Sequence, residues 1–169
     1  FSTLYVVGYG LELAVLTYTG QNWGAGKPDR IRAGTRFSVV LGFASSALIG
    51  IVVALLAEPL VRFLITDASD ETIRIGAEAL RIQSLFLPSM YLLCEFRAAI
   101  QGMGNVVYPM LSGFSELAMR IGASLLLPLI MGRAGLYFVD AAAWIPTMGL
   151  MIVGYIAVLR RRKPITQTE

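Results

Sequence analysis

The sequence predicts an all-α protein, a polytopic membrane helix bundle with about five spans. Two compositional facts and one pattern predict it. Of the 169 residues 56% are hydrophobic, and the mean hydropathy is +0.69. Charged residues make up 15%, against about a quarter in ordinary soluble domains. Apolar runs of about twenty residues recur along the chain, the length a helix needs to cross roughly 30 Å of hydrocarbon.

The spans fall at roughly 1–23, 37–57, 80–101, 109–131 and 141–159. The second and fifth carry no charge, and the other three hold a few. They read as helices because a lone strand cannot satisfy its backbone in lipid. A membrane barrel would show short alternating segments instead. The chain opens on Phe1 inside an apolar run, with no basic leader and no small-residue cleavage site before it. That start predicts a piece of a longer polytopic protein, with residues 1–163 as one partial lobe and 164–169 as a tail.

The connections alternate in charge. Lys27, Arg30, Arg32 and Arg36 make the first loop basic, and Arg160–Lys163 makes the tail basic. The connection Glu58–Glu78 is acidic, with Glu58, Asp67, Asp70, Glu71 and Glu78 against Arg62 and Arg74. The excess of cations predicts that the first loop, the Gly102–Tyr108 turn and the tail lie in the cytoplasm of a cell whose plasma (inner) membrane the chain spans. Arg and Lys there serve first as a topology anchor, and lipid-specific recognition is the second reading.

The chain has no histidine and one cysteine, Cys94, inside a span. It therefore lacks the commonest general base and most metal-site ligands. No cofactor, no metal and no nucleic-acid partner is expected; membrane lipids are. A membrane enzyme would need a nucleophile–base pair or a metal cluster, and neither is present. The stretch "GQNWGAGK" fails as a phosphate loop: Gln21 stands where the first glycine belongs, and Pro28 follows the lysine. It reads instead as a helix end. Gln21 and Asn22 amides can bond orphan carbonyls of the last turn. Gly24 and Gly26 allow a left-handed stop. Pro28 can begin a short amphipathic linker helix.

Ionisable residues inside spans are costly and mark candidate sites. Glu12 lies mid-span, and Tyr5, Glu12 and Thr19 recur every seven residues, with Tyr9 nearby. That polar stripe is either a cavity wall with a titrating carboxylate or a packing contact. Glu95 shares a face with Ser84, Pro88 and Tyr91, and Pro88 is placed to kink the span. Glu95 either lines a cation path or, close to the turn, pairs with Arg97 or reaches water. Glu116 and Arg120, four apart with Glu first, predict a structural ion pair, on a face extended by Gly113 and Ser124. Trp144, Tyr137, Phe138 and Trp23 fall at span edges and read as interface belts.

Three blocks carry a family resemblance. "GQNWGAGKPDRIRAG", with Gln21, Asn22, Gly24 and Gly26, resembles a Gln-Asn-x-Gly-Ala-Gly-Lys helix end of the multidrug and toxic compound extrusion (MATE) family. "EPLVRFLITDASDETIRIGAEALRI" is similar to that family's external connection. "FRAAIQGMGNVVYPMLSGFSELAMRI" is similar to its Gln-Gly-x-Gly-Asn turn, through Gln101, Gly102, Gly104 and Pro109. The blocks come in the family's order. The resemblance implies the last five helices of a twelve-helix transporter built from two six-helix lobes, with the N-terminal lobe and helix seven outside this chain. It implies a secondary antiporter that exports cationic or amphipathic small molecules in exchange for protons or sodium by alternating access. A flippase for lipid-linked oligosaccharide and a non-transporting membrane scaffold are the alternatives. The resemblance assigns no role to Glu12.

Overall fold

The computed structural model describes residues 6–65 and 69–161. The chain folds as an all-α bundle. Its elements are α1 (Val6–Gly24), α2 (Pro28–Leu55), α3 (Ala57–Leu64), α4 (Asp70–Leu85), α5 (Leu87–Gly102), α6 (Val107–Met131), a 3-10 segment (Gly132–Phe138) and α7 (Val139–Arg161). By length and apolar composition, Pro28–Leu55 and the stretch Val107–Arg160 could cross a membrane. The second of these is α6 and α7 folded back on each other.

Two turns stop helices in the same way. At the end of α1, the Lys27 amide donates to the Asn22 carbonyl (2.9 Å) around Gly26, whose φ is 71°. At the end of α5, the Asn105 amide donates to the Ile100 carbonyl (3.2 Å) around Gly104, at φ 76°. Each is a left-handed cap that satisfies orphan carbonyls. Asn105 then turns its side chain forward, accepting from the amides of Val107 (3.1 Å) and Tyr108 (3.3 Å) to start α6. Asn22 caps its own helix, its amide donating to the Tyr18 carbonyl at 2.8 Å. Gln21 is exposed, and Gly24 is not in the left-handed region. The stop therefore needs only the second of the two expected glycines.

Three expectations about elements are corrected. Pro28 does not open a separate linker helix. It is the first residue of α2, which runs unbroken to Leu55. The acidic connection is not a loop: it holds α3 and the first half of α4, with Asp67 outside the described residues. Ser69 starts α4 by accepting from the Thr72 amide (3.3 Å), the pairs Arg62–Asp70 (3.3 Å) and Arg81–Glu58 (3.2 Å) tie α3 to α4, and Arg81 also donates to the Ala54 carbonyl (3.3 Å) at the end of α2. Nor is the third span one kinked helix. The chain breaks at Phe86, and Pro88 sits in the first turn of α5, where its missing amide costs nothing. At 1.5 Å per residue, the 16 residues of α5 extend about 24 Å, short of a full crossing without the end of α4.

Helix α5 is the centre of the bundle and packs against α1, α2, α6 and α7. Leu93, Ala98, Ala99 and Ile100 are fully buried in a core shared with Val15 of α1, Ile31 of α2, and Trp144, Met151 and Tyr155 of α7. The Phe96 and Tyr155 rings meet edge to face at 5.5 Å. The outer faces stay apolar: Phe37, Leu48 and Leu55 of α2 and Phe114, Leu125 and Leu129 of α6 are all exposed.

Two predictions follow from these local features. Gly26→Ala places a Cβ in the left-handed region and costs about 1–2 kcal/mol, whereas Gly24→Ala, facing open space, is close to neutral. Unfolding in mixed detergent measures both. On the acidic side, the hydrogen bond and charge of Arg74 hold the Glu71 carboxyl below its usual range. The ionised pair therefore contributes stability above the ordinary carboxylate pKa, and this is lost as pH falls through the lowered value. Carboxylate NMR titration should return Glu71 to the ordinary range in Arg74→Gln.

Candidate functional site

A cavity of about 510 Å³ opens between α1, α5, α6 and α7. Its polar lining comes from four helices: Tyr9 and Glu12 from α1, Arg97 from α5, Glu116 and Arg120 from α6, and Asp140 from α7. Met90, Leu93, Cys94 and Trp144 supply the apolar part.

Most of the charges form one chain of contacts. Arg97 is in close contact with Glu116 and donates through Nε to Ser112 Oγ (3.1 Å). Glu116 also lies 3.6 Å from Arg120, one helical turn on. Arg120 Nε donates to Asp140 Oδ1 (3.0 Å), and Asp140 Oδ2 accepts from Gln83 (3.3 Å). The network thus crosses from α5 through α6 to α7 and reaches back to α4. Glu12 faces the same cavity from α1. Three carboxylates stand against two guanidiniums, so the lining carries one formal negative charge in excess. In a low-dielectric setting such an excess favours a cation. An aromatic and thioether lining suits an organic one.

The structure divides the residues singled out from sequence. Glu12, Glu116 and Arg120 come together. The Glu116–Arg120 pair is present, but as part of a larger network in which Arg97 is the nearer partner of Glu116. Gly113 and Ser124 do not extend its face inward; both are exposed. The inward side of α6 holds Ser112 and Ser115, and Thr147 of α7 donates to Ser115 at 3.4 Å. Tyr5 lies outside the described residues. Thr19 is buried at the crossing of α1 and α5, where a Cβ on Gly102 would lie 2.9 Å from its Cβ and 2.6 Å from the Leu16 carbonyl. It therefore packs rather than lining the cavity.

Tyr91 and Glu95 occupy a different face of α5. The Tyr91 hydroxyl lies against the Gly8 backbone of α1. Glu95 is 2% exposed and does not pair with Arg97 or reach water, as its nearness to the turn suggested. Its carboxylate is lodged on α2 at Gly42, where any Cβ would strike Oε1. Neither oxygen receives a hydrogen bond of ordinary geometry, and the nearby Ser38 hydroxyl donates to the Thr35 carbonyl (3.0 Å). The seat exists because α2 turns a stripe of small residues inward: Ser38, Gly42, Ser46 and Gly50.

Two cavity residues escaped the sequence reading. Asp140 was hidden in what looked like a span edge, although an acid in the first turn of a helix is itself a signal. Trp144 is 4% exposed and lines the cavity instead of marking an interface, and Tyr137 is likewise buried. Gln101, Gly102, Gly104 and Pro109 build the turn between α5 and α6, away from the cavity.

The profile of the MatE family matches residues 1–126. Among curated proteins the chain is similar to the "Probable multidrug resistance protein NorM" of Thermotoga maritima, 26% identical over 113 residues. That alignment covers 67% of this chain and 24% of the relative, so the chain corresponds to about a quarter of that protein's length. No solved structure matches the chain.

The seat of Glu95 generates a test of packing. Gly42→Ala drives the carboxylate aside and costs about 1–3 kcal/mol, as overpacking of a close contact does. In a Glu95→Ala background the same change meets no obstacle. The two substitutions should therefore be non-additive by about 0.5–3 kcal/mol in a double-mutant cycle read by unfolding.

Proposed function

The chain belongs to the MatE family, and from that premise we propose that it is part of the C-terminal lobe of a membrane efflux transporter. In this reading α1, α2, α5 with the end of α4, α6 and α7 are five crossings of a cell membrane, with the basic turns and the C-terminus on the cytoplasmic side. The N-terminal lobe of the same protein supplies the facing half of the translocation path. The transporter exports cationic or amphipathic compounds and exchanges them for protons or sodium by alternating access.

The observation that carries this reading is the excess carboxylate in the cavity. Arg97, Glu116, Arg120 and Asp140 hold each other's charge and fix the positions of three helices. Glu12 comes from a fourth helix and tips the balance negative. A proton or sodium ion entering at Glu12 removes that excess, and with it the attraction for a bound organic cation. Coupling follows, because the two cations compete for one charge. The same sign argues against the lipid-linked oligosaccharide alternative where the lipid carrier is anionic, since an anionic headgroup would meet a negative lining. Glu95 has no part in this exchange, because it faces α2 and not the cavity.

The test uses the intact transporter in everted membrane vesicles, with a fluorescent organic cation and imposed proton or sodium gradients. Either gradient should drive uptake, and the one that does names the coupling ion. Glu12→Gln should reduce gradient-driven uptake to background while leaving the folded protein in the membrane. Glu95→Gln, which keeps the shape of the seat, should leave transport intact. Full transport in Glu12→Gln would remove Glu12 from the mechanism.

A further inference from the structure

A second groove, of about 700 Å³, lies between α2 and α7 at the end of the bundle that holds the basic turn. Three guanidiniums rim it: Arg32 and Arg36 from α2, and Arg160 from α7. Arg32 pairs with Asp29 at 2.9 Å. Among the described residues no ion pair engages Arg36 or Arg160. Below the arginines the walls turn apolar, with Val40, Phe96 and Ile156. Thr35 and Tyr155 also belong to its lining; both are buried, and the Tyr155 hydroxyl lies against that of Thr35.

This arrangement is more than a topology anchor needs. Orientation requires only that cations lie in the loops on one side. Here cations from two helices far apart in sequence converge on one groove. The groove also has the polarity profile of a phospholipid, with cations and donors at one end and hydrocarbon surface below. Arg36 immediately precedes the uncharged stretch of α2, and Arg160 immediately follows that of α7. On the membrane placement proposed above, on which this inference rests, both guanidiniums lie at the depth of headgroup phosphates.

We propose that this groove binds one anionic phospholipid of the surrounding membrane. Its phosphate sits on Arg36 and Arg160, which can each donate two hydrogen bonds to phosphate oxygens. One acyl chain runs along Phe96 and Ile156. The lipid would clamp the start of α2 to the end of α7, two helices that meet across α5.

The experiment is native mass spectrometry of the intact transporter released from mixed micelles of phosphatidylglycerol and phosphatidylcholine. Wild type should retain one phosphatidylglycerol in preference to phosphatidylcholine. Arg36→Gln with Arg160→Gln should abolish the preference, and Arg36→Lys with Arg160→Lys should keep it. Equal retention of both lipids by wild type, or an unchanged preference in the double glutamine variant, would overturn the proposal. The latter would point to a groove covered by another part of the protein. Displacement by millimolar inorganic phosphate would also overturn it, as the mark of a free-anion site. Transport assayed on the same preparation separates the two readings: active protein without lipid preference defeats this inference alone.

Discussion

Much of the bundle depends on how closely α5 can approach its neighbours. Where α1 crosses it, the backbone of Leu16 stands so near Gly102 that no side chain fits between them. Ala98 and Ala99, fully buried, continue the close approach one turn earlier. Helix packing in lipid gains little from a hydrophobic driving force and relies on such van der Waals contact through small residues. The glycine and serine stripe of α2 does the same from the other side. With α5 so tightly held, its two sides are assigned: Tyr91 and Glu95 turn toward α1 and α2, and Cys94 and Arg97 toward the cavity.

That assignment governs the charges. Arg97 turns into the cavity and is answered there by Glu116. Glu116 in turn holds Arg120, which holds Asp140. Each member is only partly exposed, and each would be expensive alone. Together they form a frame that ties α5 and the middle of α6 to the first turn of α7. Glu12 reaches the same cavity from α1.

The sequence reading was sound where a local rule decides. The left-handed stop at Gly26 and the approach of Glu116 to Arg120 both follow from residues within one or two turns of each other. It failed where a local rule had two solutions. Pro28 can open a short helix or a long one, and the absence of a break before Leu55 decided for the long one. Pro88 can kink a helix or begin one, and the chain spends its missing amide on a beginning. Glu95 and Arg97, two apart, looked like partners, but residues two apart point to different sides of a helix.

Composition and spacing determined by themselves that this chain is all-helical, apolar enough for a membrane, and similar in three ordered blocks to a transporter family. Those are properties of single segments, set by hydrogen bonding along the backbone and by the polarity of about twenty residues at a time. Only the tertiary structure decided that Glu12 shares a cavity with Arg97 and Asp140, that Glu95 rests on Gly42, and that Arg36 and Arg160 line one groove. Each depends on the rotation and depth of one helix relative to another. That is set by which small residues permit contact across the bundle, a relation between segments that no one segment carries.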